Sequence, residues 1–158
     1  MIDAKKKELS ASLEDYLEAI FNLADESDIA RSKNIAETLG VAKSSVTGAL
    51  RELKKRELVN YKPYGYVTLT ESGRNAAQQV VRKHNVLKAF FVNVLGIKND
   101  IAQEAACKAE HSLGPEVITR LLAFIEFVTQ TSRNGINLAE EFEQFCNNGS
   151  VKSNKKES

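Results

Sequence analysis

The sequence predicts a mainly α-helical chain, in which three N-terminal helices closed by a β-hairpin precede an all-α second domain. Three observations carry that expectation. Residues 31–55 hold two short runs with apolar residues at helical spacing, separated by Gly40. Two alternating segments, 58–62 and 66–70, then flank the turn residues Pro63, Tyr64 and Gly65. From Glu71 onward the segments read as helices.

Composition sets the limits first. A chain of 158 residues can bury one good core, or two small ones sharing an interface. Hydrophobic content of 42% with 27% charge is that of a soluble globular protein. The N-terminus lacks an apolar run of signal-peptide type. The most apolar stretches, 86–97 and 117–128, are short and interrupted by Lys88, Asn93, Arg120 and Glu126, so no membrane span is expected. Cys107 and Cys146 make no disulfide framework. These features fit a cytoplasmic protein.

Taken in order, the first helix is expected from about Leu13 into the Leu23 region, with Leu13, Tyr16, Leu17, Ile20 and Phe21 as its buried stripe. Ser12, followed three residues later by Asp15, is a capping pattern for its start. Asp25 to Asp28 is a polar break. Ser32 then stands at an N-cap position for a helix over 33–39, which buries Ile35, Ala36 and Leu39. Gly40 ends it, since a tight turn between helices favours a residue that tolerates positive φ. The next helix, after Val41, Ala42 and Lys43, carries Val46, Ala49, Leu50 and Leu53 on one face. Its other face carries Ser44, Ser45, Thr47, Arg51, Lys54 and Lys55.

Two helices joined by such a turn form a helix-turn-helix, whose second helix can enter the DNA major groove. The hairpin after it makes the unit a winged helix. Lys43, Ser44, Ser45, Thr47 and Arg51 are then placed for DNA contact, and Lys33, Lys54 and Lys62 for phosphates. Charge favours that reading over a helical hairpin with no nucleic-acid role, or one that docks only protein. Residues 31–62 hold eight Lys/Arg against three acids, whereas residues 1–30 hold three lysines against eight acids. The formal net charge of +1 hides a basic segment beside an acidic one.

Beyond the wing, a long helix is expected to start near Glu71–Gly73 and reach toward Leu95. Further helices are expected over 100–113, over 115–129 with Pro115 in its first turn, and from Asn137 to Cys146. Val117, Ile118, Leu121, Leu122, Ile125 and Val128 give the 115–129 helix more apolar surface than one small domain needs, which suggests a homodimer. The expected organisation is a winged-helix domain over 1–72, a helical domain over 73–146 and a disordered polar tail over 147–158.

A second constellation lies in Glu104-Ala105-Ala106-Cys107-Lys108-Ala109-Glu110-His111. Cys107, Glu110 and His111 stand at i, i+3 and i+4, so one helix face is expected to present three donors suited to a divalent metal. His84 is the only other histidine, and Asp15 and Glu18 point from a common face of the first helix. Each has an ordinary alternative: a cap, a solvated charge, a small buried thiol, a polar surface group. Cys107 with His111 also resembles a nucleophile–base pair, though nothing nearby would serve as an oxyanion hole.

Four segments in this order resemble the diphtheria toxin repressor family of metal-dependent, dimeric winged-helix repressors. They are Leu13-Glu14-Asp15-Tyr16-Leu17-Glu18-Ala19-Ile20, Ser44-Ser45-Val46-Thr47, Arg82-Lys83-His84 and Cys107-Lys108-Ala109-Glu110-His111, and the likeness covers about residues 8–130. No SH3-like third domain is expected within these 158 residues, in which respect the chain is similar to the short manganese transport regulators. The resemblance implies a metal site on Asp15, Glu18, His84, Cys107, Glu110 and His111, filled by Mn(II) or Fe(II). It also implies an inverted-repeat double-stranded DNA operator among genes of metal-ion homeostasis. The pattern is mixed: Asp15 is of the manganese type, whereas Cys107 is of the iron type. Lys88 and Gln103 depart from positions that are often glutamate and, in iron-type members, histidine, so the iron-type ancillary site is expected to be absent. The alternative is a metal-independent winged-helix regulator that responds to an organic ligand or to thiol oxidation at Cys107.

Overall fold

Helix α1 runs from Ala11 to Leu23 in the computed structural model, which describes residues 9–24, 28–63, 65–133 and 137–148. Its cap is Ser10, whose hydroxyl accepts from the Leu13 amide at 3.3 Å. The expected cap, Ser12, lies inside the first turn, because Ser10 already satisfies an orphan amide two residues earlier. Most of the polar break at Asp25–Asp28 and the tail beyond Asn148 fall outside the described residues.

A two-residue strand, β1 (Ala30–Arg31), leads directly into α2 (Ser32–Leu39). Ser32 is therefore the first helical residue, and Arg31 is the N-cap without a side-chain cap bond. At the other end Gly40 adopts φ 64°, with Val41 N–H bonded to Ala36 O and Gly40 N–H to Glu37 O. That is the Schellman stop expected of a left-handed glycine. Helix α3 (Lys43–Lys55) ends with the same pair of bonds, Leu58 to Leu53 and Glu57 to Lys54. Here Glu57 holds the positive φ of 59° that a glycine usually takes. The Thr70 hydroxyl donates to Glu57 O at 2.7 Å and helps hold that conformation.

The hairpin strands β2 (Val59–Tyr61) and β3 (Tyr66–Leu69) pair antiparallel with Tyr61 opposite Val67. Between them Gly65 N–H closes the turn onto Lys62 O at 2.9 Å. Strand β1 adds to the far side of β3, so the sheet order is β1-β3-β2. The unit's core joins Leu17 and Ile20 of α1, Ile35 of α2, Val46, Leu50 and Leu53 of α3, and Val67 of β3. Each of these is fully buried, and each contributes about 1.5–3 kcal/mol by leaving water.

Helix α4 (Glu71–Asn93) begins at this core, where Ala77 packs. Packing divides the chain into two units inside α4, after Arg82. The second unit is helical throughout its described part: the end of α4, α5 (Asn99–Ala109), α6 (Pro115–Arg133) and α7 (Leu138–Asn147). Val86 and Leu87 of α4, Ala106 of α5 and Ile118 of α6 form its buried centre. On α6, Val117, Phe124 and Phe127 remain exposed, and so do Phe142 and Phe145 on α7. The 100–113 helix of the sequence reading is in fact two pieces. Helix α5 stops at Ala109, and Glu110–Ser112 tighten into a 3-10 turn ahead of Gly114 and Pro115. A last turn of this kind is common where a helix must end.

Candidate metal centre and DNA interface

Within the second unit, three of the expected ligands converge. Glu110 has no solvent exposure, and His84 is 6% exposed. His84 Nδ1 stands 2.6 Å from Glu110 Oε2, and His111 Nε2 lies 3.5 Å from Glu110 Oε1. A carboxylate withdrawn from water is costly unless hydrogen-bonded or paired. Here two imidazoles, one from α4 and one from the 3-10 turn, meet it. When Nδ1–H of His84 donates to the carboxylate, Nε2 keeps its lone pair, the tautomer a ligating histidine uses. The donor set, two nitrogens and a carboxylate, fits a first-row divalent cation. A shared proton and such a cation are alternative ways to neutralise the same buried charge.

Cys107 behaves differently. It is exposed on α5, whereas Glu110, three residues on, is buried. Glu104 is also exposed and is held at 2.5 Å by Lys108, whose ammonium keeps the Glu104 carboxyl below its ordinary pKa. Lys88 is half-buried and Gln103 exposed.

In the first unit, Asp15 and Glu18 are both half-buried on α1, beside the buried Tyr16 and Leu17. Burial, and after it the neighbouring Asp15 carboxylate, pushes the Tyr16 phenol above its ordinary pKa.

The outward face of α3 presents Lys43, Ser44, Ser45, Arg51 and Lys54 to solvent. Thr47 is half-buried, and its hydroxyl donates back to Lys43 O at 3.1 Å. Lys54 Nζ donates to Tyr61 O at 3.0 Å, so this lysine also ties α3 to β2. Lys33 lies 3.8 Å from Glu37 in an exposed pair, which is weak enough to yield to a phosphate. Lys62 is exposed where the hairpin turn begins. Two exposed cationic groups of the basic segment were not assigned a DNA role from the sequence. Lys55 extends the exposed side of α3, and the Arg31 guanidinium sits 5.5 Å from the ring centroid of the exposed Tyr66. Arg31 counted toward the basic segment, but its place opposite Tyr66 depends on the β1–β3 pairing.

Known proteins give this geometry a lineage. Residues 8–67 match the iron dependent repressor N-terminal DNA binding domain, and residues 70–136 the iron dependent repressor metal binding and dimerisation domain. A relative in Methanocaldococcus jannaschii, the uncharacterized HTH-type transcriptional regulator MJ0568, is 39% identical over 119 residues, which are 75% of this chain and 95% of that one. The chain belongs to the iron dependent repressor family. It is a DNA-binding transcriptional regulator of the metal-dependent repressor class and not an enzyme, with a metal-binding and dimerisation domain after the winged helix. Family membership also sets aside the metal-independent alternative. Among solved structures, a manganese-dependent transcriptional repressor in complex with manganese is 35% identical, with a TM-score of 0.67 over 73% of this chain. ScaR with bound Zn2+ is 26% identical, with a TM-score of 0.62 over 73% of this chain. The chain spans only about half of either structure, 53% and 54%. None of the repressor's described helices is long and apolar enough to cross a membrane.

Proposed function

We propose that the repressor is a cytoplasmic homodimer that takes Mn(II) or Fe(II) as corepressor and closes genes of metal-ion homeostasis by binding an inverted-repeat operator. The single observation that carries this is the buried His84–Glu110 pair with His111 beside it, in a domain whose family binds metal. His84, Glu110 and His111 hold the ion in the second unit, Asp15 and Glu18 add carboxylates from α1, and Cys107 is the remaining candidate donor. The bound cation supplies positive charge and directional coordination. Asp15 and Glu18, on a helix of the DNA-binding unit, then answer to the same charge as Glu110, on the dimerisation unit. Binding by this shared set shifts the population toward the DNA-competent dimer. Along α3, Lys43, Ser44, Ser45, Thr47 and Arg51 face the groove, while Lys33, Lys54 and Lys62 meet phosphates. The full ligand set follows the family resemblance; the organisation into domains 1–72 and 73–146 is proposed with it.

The test is binding to a duplex selected from a randomised pool by the wild-type protein in Mn(II), repeated with Fe(II) under anaerobic conditions, with Zn(II) and in EDTA. Metal content is measured on the same samples. Asp15→Ala is expected to remove most of the metal-dependent gain and to leave binding in EDTA unchanged. Cys107→Ser is expected to weaken Zn(II) more than Mn(II) if the thiol is a ligand. Wild type and Cys107→Ser with the same affinity for each of the three metals would remove Cys107 from the ligand set. Wild-type binding that is as tight in EDTA as in Mn(II) would sink the corepressor reading.

A dimer has its own check. Phe124 meets Phe90 edge-on with centroids 6.1 Å apart and Phe127 at 6.2 Å, yet Phe124 and Phe127 stay 45% and 56% exposed. Sedimentation at micromolar concentration is expected to show a dimer for the wild type and a shift toward monomer for Phe127→Lys. A monomeric wild type, with and without metal, would leave the inverted-repeat operator without support.

A further inference from the structure

Glycine is an unfavourable choice for the interior of an exposed helix, because it gives up more backbone freedom on folding than any other residue. Gly48 nevertheless stands in the middle of α3. No internal contact demands it there. A Cβ built on Gly48 meets nothing within 4 Å, and its φ is not in the left-handed region. The fold itself supplies no reason for the missing side chain.

Its angular position says where. Val46, Leu50 and Leu53 are fully buried and define the inner side of α3. At about 100° per residue, Gly48 falls almost diametrically opposite that inner stripe, about 20° from Lys55, about 40° from Ser44 and about 60° from Arg51. It is the crest of the face with which the domain meets DNA, and the nearest cationic side chains on that face, Arg51 and Lys55, are exposed.

We propose that Gly48 is a positioning residue that lets the α3 backbone approach the floor of the major groove more closely than any side chain there would allow. Ser44 and Arg51, one turn to either side, then reach base edges that they would otherwise miss. The close approach serves sequence discrimination. Phosphate attraction, which acts at longer range, gains little from it. This inference rests on the reading of α3 as the helix that enters the groove.

The test sets two readouts against each other. Gly48→Ala and Gly48→Leu are compared with wild type in Mn(II), on the selected duplex and on random-sequence DNA, together with their melting temperatures. Removing a helix-interior glycine is expected to raise Tm by about 2–4 °C. Affinity for the selected duplex is expected to fall by about tenfold for alanine, the scale of one lost base contact, and further for leucine. Random-sequence binding should stay within about twofold of wild type, since phosphate contacts persist. Unchanged affinity for the selected duplex overturns the proposal, and so does a loss that tracks a lowered Tm. Arg51→Ala separates the two ideas. A loss there with none at Gly48 overturns only this inference, whereas no loss at either position removes α3 from the groove as well.

Discussion

Replacing Gly73 by alanine is expected to be the most damaging single-methyl change in the first unit. A Cβ at this position would overlap the Leu58 carbonyl oxygen and stand 2.7 Å from the carbonyl carbon. Those atoms are backbone in the connection between α3 and β2, so no rotamer change relieves the clash. The surroundings are also fastened. Thr70 N–H bonds Leu58 O, Gly73 N–H bonds Thr70 Oγ1, and that same hydroxyl donates to Glu57 O. Either the first turn of α4 moves away from Leu58 or this network breaks. Overpacking without relief costs about 3 kcal/mol or more, which corresponds to a Tm lowered by about 6–12 °C for a chain of this size. Thermal unfolding of Gly73→Ala against wild type in EDTA measures it. A Tm within a degree of wild type would mean the close contact between α4 and Leu58 is not kept in solution.

Glu110→Gln is expected to give the largest functional loss for the smallest change of shape. Glutamine fills the same space and can still accept from His84, but it brings no negative charge to a buried cluster. If Glu110 is a ligand, Mn(II) affinity should fall by about 100-fold or more, since even outer partners of a metal site are worth 10–100-fold. Metal-dependent operator binding should go with it. A purely structural pair predicts something else: a loss of about 1–3 kcal/mol in stability, equal with and without metal, and Mn(II) binding intact. Titration of bound Mn(II) and melting in EDTA, run on the same variant, tell the two apart.

Much of this architecture could be read from residue order. Helices α1, α2, α3 and α6 announced themselves through 3.6-residue apolar spacing, and the hairpin through alternation around Pro63–Gly65. Gly40 marked its own turn because positive φ has a strong residue preference. What escaped was set by tertiary contact. Strand β1 is two residues long and exists only by pairing with β3, so no local alternation could reveal it. The left-handed Glu57 carries no glycine signal, being held by Thr70 from thirteen residues away. At the metal cluster, residue types and spacing pointed to Glu110 and His111, and their approach to His84 needed the fold. The α-to-3-10 change after Ala109 was invisible to a periodicity that assumes one helix, and so was the exposure of Cys107 beside a buried Glu110.

Helix α4 is unbroken from Glu71 to Asn93, although packing divides the chain within it. Gly73, locked against Leu58, and His84, paired with Glu110, are separated by eleven residues along it, about three whole turns. The chain thus has a junction without a hinge loop, and that restricts how it can change over evolutionary time. Inserting or deleting one residue between these positions would rotate one attachment against the other by about 100°. Neutral length variation, which loops absorb freely, is therefore closed to this segment. Shuffling this winged helix onto another sensing domain would succeed only in steps that restore helical phase, such as about seven residues or two turns.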